Sequence, residues 1–308
     1  MAIASVDLGG TNIAVAIGLP SGEVLREAQA ATEGHLGPQL VMERMAALVK
    51  ELAPEGVEAV GLGVPGLCDL EAGTTLFLPN LPTQWRGVEV GRVLGGMLGC
   101  PVYLLNDARM AALGELDFGH GREVKDFAFF TLGTGIGGGI VMGGRLRVAG
   151  GELGHQTIVP DGPLCGCGSR GCLELLASAP VMSAEGIRLL KMGQAPDLLE
   201  RVGGDCNRVN PAVMAACSDV SVAGVIERAA RYLGIGVANV VTALRPEMVV
   251  LGGGLAQMGE PLFRTVREEV SRRVKMFPVD ELRIESSLVG ARAGTMGGLA
   301  LALRRGVI

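Results

Sequence analysis

Two segments of this chain, about half its length apart, share one pattern of residues. Each consists of an apolar run, a turn rich in glycine and threonine, and a second apolar run. The first reads IASVDLGGTNIAVAI at residues 3–17, and the second reads FAFFTLGTGIGGGIVMGGRLRV at residues 127–148. Runs of β-branched and aromatic residues on both sides of a glycine turn predict β-hairpins. A fold that contains two related hairpins is therefore expected to have two related halves.

Both turns contain residues suited to binding a nucleotide and its metal ion: Asp7, Gly9, Gly10 and Thr11 in the first, and Gly133, Thr134 and Gly135 in the second. Glycine allows backbone N–H groups to approach a phosphate closely, and threonine adds a hydroxyl donor. Asp7 is a candidate Mg²⁺ ligand through water, because Mg²⁺ keeps part of its hydration shell in proteins. One such turn alone is equally consistent with an ordinary β-turn. Their repetition predicts two related lobes with a nucleotide between them.

A compact group of metal-binding residues follows the second hairpin. Cys165, Cys167 and Cys172 lie within CGCGSRGC, and His155 lies ten positions before the first cysteine. Three thiolates and one imidazole form a closed tetrahedral zinc set of the structural kind. The alternatives are three buried cysteines that act as small apolar residues, or a disulfide with one cysteine left over. The loop has few apolar neighbours, so the sequence favours zinc.

Composition argues against several other classes of protein. A hydrophobic content of 48% with 19% charged residues indicates a folded chain, and a net charge of −5 without a basic run argues against nucleic acid as a partner. The uncharged stretch 127–144 is long enough for a membrane helix, but its glycines each cost about 1 kcal/mol in a helix interior. No basic segment precedes the first apolar run, so we expect no signal peptide and a cytoplasmic protein.

The rest of the chain alternates between helical and strand-like patterns, which predicts an α/β fold. Two matches to G-x-G-x-x-G, at glycines 61, 63 and 66 and at glycines 133, 135 and 138, are not followed by clear helices. They therefore lack the context of a dinucleotide site. Helices are expected at 38–52, 88–98, 108–115, 221–244, 260–276 and 291–305, and strands at 57–67, 101–105, 247–251 and 282–286.

Along nearly its whole length the chain resembles the ROK family of sugar kinases, above all its glucose-phosphorylating bacterial members. The most specific parts are ELGH at 152–155 and CGCGSRGCLE at 165–174. The resemblance implies an α/β, two-lobed actin-like or ribonuclease-H-like ATPase fold, with nucleotide and sugar in the cleft between the lobes. It implies a discontinuous N-terminal lobe of 1–115 with 290–308, and a C-terminal lobe of 116–289 that contains the zinc loop. A homodimer or homotetramer is expected.

The resemblance also assigns roles to individual residues. Asp107 matches the family's catalytic base, although an aspartate at a helix start is equally often an N-cap. Arg109 departs from the small or amide residue expected after Asn-Asp-Ala, and its charge could lie near the transferred phosphate. Gly253 and Gly254 match an adenosine-contacting turn. The sugar-binding positions of the family match Asn80, Asn106, Asp107, Glu152, His155 and Glu174.

The implied activity is ATP-dependent phosphorylation of the 6-hydroxyl of a hexose, with glucose expected first, Mg²⁺ at the nucleotide and structural Zn²⁺ near the sugar. Mannose, fructose, N-acetylglucosamine and N-acetylmannosamine remain alternative substrates. A further alternative is a non-catalytic sugar-sensing protein, since the family includes transcriptional repressors. Those carry a helix-turn-helix before the first hairpin, whereas the hairpin here begins at residue 3.

Overall fold

Helices and strands alternate along the chain in the computed structural model, which describes residues 2–78, 81 and 85–308. In chain order the strands are β1 (Ile3–Leu8), β2 (Asn12–Gly18), β3 (Val24–Ala31), β4 (Val60–Val64), β5 (Leu67–Asp69), β6 (Thr74–Phe77), β7 (Val102–Asn106), β8 (Phe127–Leu132), β9 (Ile136–Met142), β10 (Arg145–Leu146), β11 (Met248–Gly252) and β12 (Arg283–Ser286). The helices are α1 (Pro38–Leu52), α2 (Val90–Leu98), α3 (Asp107–Phe118), α4 (Glu174–Ala177), α5 (Ala179–Lys191), α6 (Pro196–Val202), α7 (Pro211–Ala215), α8 (Val220–Leu244), α9 (Glu260–Arg273) and α10 (Ala293–Leu303).

The chain divides into two compact units, each with its own sheet. The first unit comprises Met1–Lys125, Gly143–Ala149 and Ser287–Ile308, and the second comprises Asp126–Met142 and Gly150–Ser286. The chain therefore leaves the first unit and returns to it, ending there with α10. The lobe boundaries expected from the sequence stay a prediction.

The sheet of the first unit has the strand order β3-β2-β1-β4-β7. β1 and β2 form the first hairpin, with Leu8 opposite Ile13, and β1, β4 and β7 run parallel to one another. β4 is buried along its whole length, and β1 is buried except at Asp7, as expected for strands that are covered on both faces. α1 contributes Val41, Met45 and Val49 to the core against these strands.

The C-terminal helix α10 packs unusually closely on the first unit. It contacts α3, β1 and β4, and two of its glycines lie directly against these neighbours. A Cβ atom on Gly297 would overlap the carbonyl oxygen of Met110, and one on Gly298 would overlap Ser5 Oγ. Only glycine permits an approach of this kind between a helix and its neighbours.

The second unit is built around β9, β8, β11 and β12, which lie side by side in that order. β8 and β9 form the second hairpin, and β8, β11 and β12 are parallel. The long helix α8 and the amphipathic helix α9 pack together over the core of this sheet. Helices α5, α6 and α7 form a separate apolar cluster with the beginning of α8.

Both predicted hairpins are present, and the mixed α/β class is confirmed. The uncharged stretch 127–144 forms β8 and β9, and no helix in the described part of the chain combines the length and apolar character that a bilayer crossing requires. Both G-x-G-x-x-G matches lead into strands, β5 and β9. The expected helix 260–276 ends at Arg273, because Val274 is extended. The sequence patterns did not predict β3, the β5–β6 hairpin or α4 to α7.

Candidate functional site

The first glycine turn connects β1 to β2 and is supported from inside the first unit. Gly9 N–H donates to the carbonyl of Asn12 over 2.9 Å, which closes the turn, while Gly10 and Thr11 are exposed. The support comes from Thr32, which directly follows β3 and is completely buried. Its N–H donates to the carbonyl of Thr11 and its hydroxyl donates to the carbonyl of Gly9, each over 2.7 Å.

Asp7 lies just before this turn, in a confined and acidic environment. Cβ atoms placed on Gly63 and Gly294 would lie 3.3 and 3.0 Å from its carboxylate oxygens, so side chains at these positions would crowd it. Burial, and to a smaller extent the neighbouring charge of Asp107, together raise the pKa of Asp7 to about 6. The structure therefore brings these two carboxylates together in the first unit. A divalent cation beside them would offset their repulsion.

Asn106 and Asp107 occupy the junction between β7 and α3, and the structure distinguishes their roles. Asn106 is the N-cap of α3, because its Oδ1 accepts from Arg109 N–H over 3.1 Å. Its Nδ2 donates to the carbonyl of Gly66 and to Asp107 Oδ1 over 3.2 and 3.0 Å. Asp107 is the first helical residue, where the helix dipole favours a carboxylate. Asn106 therefore fills the N-cap position, while Asp107 Oδ1 accepts from Ala108 N–H over 2.8 Å within the first turn of α3.

Two other predicted residues of the first unit have different outcomes. Arg109 is buried in α3. Burial raises the pKa of the Cys68 thiol in β5 to about 11, and the positive charge of Arg109 acts to lower it. Asn80 lies outside the described residues, so its predicted contact with sugar stays a prediction.

The second glycine turn is held by Glu174, the first residue of α4. Glu174 Oε2 accepts from Ile136 N–H over 2.9 Å and lies directly over Gly135, where any side chain would overlap it. The N–H of Ala179 donates to the carbonyl of Gly133 over 3.0 Å. A predicted sugar-binding carboxylate therefore touches a predicted phosphate turn within the second unit.

Glu152 and His155 are brought to the same place. They lie at either end of the segment that contains the short 3₁₀ helix Leu153–His155, and Gly154 at its centre lies against the carbonyl of Ile136 so closely that a Cβ would overlap it. The peptide groups on both sides of Ile136 thus contact the two segments that carry Glu152, His155 and Glu174. Gly253, which has a φ of 84°, also adjoins this region beside Leu132.

The four predicted zinc ligands converge on one point. Their ligand atoms all lie within 4.8 Å of one another. Cys167 Sγ and Cys172 Sγ are 3.7 Å apart, as are Cys165 Sγ and His155 Nδ1. Zinc–sulfur bonds of about 2.3 Å in a tetrahedron place two sulfur atoms about 3.8 Å apart, whereas a disulfide would need about 2 Å. The geometry fits zinc and excludes a disulfide between Cys167 and Cys172.

The electrostatics of this cluster also fit a cation. Burial and the two neighbouring thiols raise the pKa of Cys172 to about 12, so the three sulfur atoms repel additional negative charge. A divalent ion reverses this, because a coordinating thiol is deprotonated outright. Gly171, with a φ of 61°, lies so close to Val159 that a side chain would overlap its carbonyl, which keeps the loop folded around the ligands.

Comparison with known proteins identifies the family of the chain. The sequence matches the ROK family over residues 3–305, and the chain belongs to that family. It is 34% identical to the glucokinase of Thermotoga maritima over 97% of this chain and 96% of that protein. It is also 34% identical to the xylose repressor of Caldicellulosiruptor bescii, over 81% of this chain but only 63% of the repressor.

Among solved structures, the ROK-family glucokinase of Streptomyces griseus in complex with glucose and AMPPNP superposes with a TM-score of 0.86. The two sequences are 31% identical, and the match covers 98% of this chain and 99% of the other. The prediction of a ROK sugar-kinase fold of the actin-like ATPase type is confirmed.

Proposed function

We propose that this protein is an ATP-dependent kinase that phosphorylates the 6-hydroxyl of a hexose, with glucose as the first candidate. The observation that carries the proposal is the division of roles at the start of α3. Asn106 fills the N-cap position, so Asp107 is not required there. Asp107 lies close enough to Asp7 at the first phosphate turn to raise its pKa. The relatives that match nearly the whole chain as glucokinases support the same activity.

In this proposal Asp107 accepts the proton of the sugar hydroxyl as that oxygen attacks the terminal phosphate of ATP. Phosphoryl transfer depends mainly on positioning and on neutralising charge, and little covalent chemistry is required of the protein. Asp7 would hold Mg²⁺ through water, and the ion would supply the positive charge that offsets the phosphates. The phosphates would contact Gly9, Gly10, Thr11, Gly133, Thr134 and Gly135, and the adenosine would contact Gly253 and Gly254.

The sugar would be recognised by Asn80, Asn106, Asp107, Glu152, His155 and Glu174. Carboxylate, amide and imidazole groups suit a hexose because its hydroxyls both donate and accept hydrogen bonds. Zinc held by His155, Cys165, Cys167 and Cys172 would fix the segments that carry His155 and Glu174. A cytoplasmic homodimer or homotetramer that supplies hexose phosphate to glycolysis is the setting that we propose.

The test is ADP release from MgATP with a panel of hexoses and N-acetylhexosamines, using the wild type and Asp107→Asn. General bases contribute roughly 10²–10⁴-fold in rate, so we expect that loss of kcat for Asp107→Asn without unfolding. Asp280→Asn, at an exposed position, is the matched control and should retain full activity.

The outcomes separate the candidate functions. Turnover confined largely to glucose supports the proposal, and preference for mannose, fructose or an N-acetylated sugar keeps the mechanism but changes the substrate. No turnover with any sugar from folded, zinc-containing protein would exclude the kinase and favour a sugar-sensing member of the family.

A further inference from the structure

The completely buried Thr32 is the residue that holds the first glycine turn, and nothing in the sequence motifs assigns it a role. It follows Ala31, the last residue of β3, which is paired with Asn12 at the start of β2. A buried hydroxyl needs a hydrogen-bond partner, because water cannot reach it. Thr32 meets this need with the carbonyl of Gly9 and also donates its N–H to the carbonyl of Thr11, each over 2.7 Å.

These two hydrogen bonds determine the direction in which the turn presents its N–H groups. The C=O and N–H of a planar trans peptide point in opposite directions. With the carbonyl of Gly9 directed at Thr32, the N–H of Gly10 is directed away from it. The carbonyl of Thr11 is also directed at Thr32, so the N–H of Asn12 is directed to the other side of β2, where Gly9 lies. Gly10 and Thr11 are exposed, so a ligand can approach the N–H of Gly10.

The chain beyond Thr32 is shaped to keep it in place. Glu33 adopts a left-handed conformation with a φ of 48°, which is strained for a residue with a side chain, and its carboxylate forms an ion pair with Arg44 of α1. The short 3₁₀ helix Gly34–Leu36 follows immediately. The extended chain of β3 thus ends at Thr32, the residue that binds the carbonyls of the first turn.

We propose that Thr32 is a positioning residue for the nucleotide, which holds the backbone N–H of Gly10 towards the phosphates of ATP. This inference rests on the proposed kinase function and on the first turn as a phosphate site. Thr32 itself touches neither the sugar nor the phosphates.

The test compares Thr32→Val, which keeps the shape and loses the hydroxyl, with Thr32→Ser, which keeps the hydroxyl. Loss of one hydrogen bond is expected to raise the KM for MgATP about tenfold. The KM for the sugar should stay within about twofold of the wild type, since sugar groups are not held by this bond. Thr32→Ser should restore the wild-type KM for MgATP. Binding of a fluorescent ATP analogue to each variant without sugar gives a second readout.

Thr265→Val is the matched control, because Thr265 is also a buried threonine whose hydroxyl donates to a carbonyl, that of Pro261, but in α9 of the second unit. It should leave the KM for MgATP unchanged. An unchanged KM for MgATP in Thr32→Val would overturn the inference. So would a Thr32→Ser variant that is as impaired as Thr32→Val, or a Thr32→Val protein that does not fold. Absence of wild-type turnover would instead count against the kinase function itself.

Discussion

The two glycine turns have the same sequence pattern, but the side chains that support them act in opposite ways. In the first turn a hydroxyl and an N–H of Thr32 bind carbonyl oxygens of the turn. In the second turn a carboxylate oxygen of Glu174 binds the N–H of Ile136. The first support is neutral and has no other proposed role. The second is charged, and it comes from a residue that is also expected to bind the sugar.

This difference implies that the conformations of the two turns respond to different ligands. The first turn is shaped before any ligand binds, because its support is buried within its own unit. The second turn is hydrogen-bonded to Glu174, which lies two positions after the zinc ligand Cys172. Any change in the zinc loop or at the sugar is therefore expected to reach the second turn and not the first.

Removal of zinc should have the largest effect and should be confined to the second unit. We expect Cys167→Ser to lose bound zinc, because the substitution removes one of the four ligands. Binding of structural zinc contributes on the order of 10 kcal/mol to the folding free energy of small domains. The KM for the sugar should then rise at least about tenfold as Glu174 loses its anchor. Metal analysis and two-substrate kinetics measure this, with Cys206→Ser, outside the cluster, as the control. One zinc per chain and wild-type kinetics in Cys167→Ser would contradict the zinc assignment.

Two substitutions of Glu174 should separate its contact with sugar from its contact with the turn. Glu174→Gln keeps an oxygen that can accept from Ile136 N–H. It should therefore weaken only the binding of the sugar and raise the KM for the sugar roughly 10- to 100-fold. Glu174→Ala removes both contacts and should in addition raise the KM for MgATP about tenfold. If the two variants show the same KM for MgATP, the contact with Ile136 does not serve the nucleotide.

The raised pKa of Asp7, beside the first turn, should make the stability of the protein depend on pH. Its pKa rises from an ordinary value of 3.8 to about 6 on folding. The folded protein therefore binds this proton more tightly than the unfolded chain. Protonated Asp7 thus adds to the free energy of unfolding. This contribution is fully present below about pH 4 and is lost as the pH rises through about 6, a change of about 3 kcal/mol.

Asp7→Asn should remove this pH dependence and, in metal-free buffer at pH 8, increase the free energy of unfolding by up to about 3 kcal/mol. Its activity with MgATP should fall at the same time, because the cation loses a carboxylate. Denaturant titrations at pH 5 and pH 8 provide the measurement. A variant that is less stable than the wild type at pH 8 would show that Asp7 is satisfied within the fold.

Gly297→Ala should reduce stability without a direct effect on either substrate, and it should act on the unit that contains the first turn. The added methyl group would meet the carbonyl of Met110, and overpacking of this kind costs about 1–3 kcal/mol. Gly96→Ala in α2 is the matched control, since a Cβ there meets nothing within 4 Å. It should stabilise the protein by up to about 1 kcal/mol through helix propensity. Similar melting temperatures for both variants would place the close packing of α10 in doubt.

The parts of the molecule that sequence patterns predict are those determined by neighbouring residues. The two hairpins, the bounds of α1 and the clustering of the cysteines follow from local periodicity and spacing. Thr32 and Glu174 could not be identified as supports, because their partners lie 23 and 38 positions away along the chain. Whether Asn106 or Asp107 caps α3 was likewise undecided, since both residue types suit that position. Only the side-chain geometry separates them.

The position of α10 has a consequence for the order in which the protein can be made. Its glycines complete the packing around Ser5 and Met110, yet they leave the ribosome after the whole of the second unit. Residues 126–142 and 150–286 are all synthesised before this helix emerges. The second unit can therefore fold during translation before the first unit is complete. A stop codon shortly after Ser286 would damage the unit whose synthesis began first.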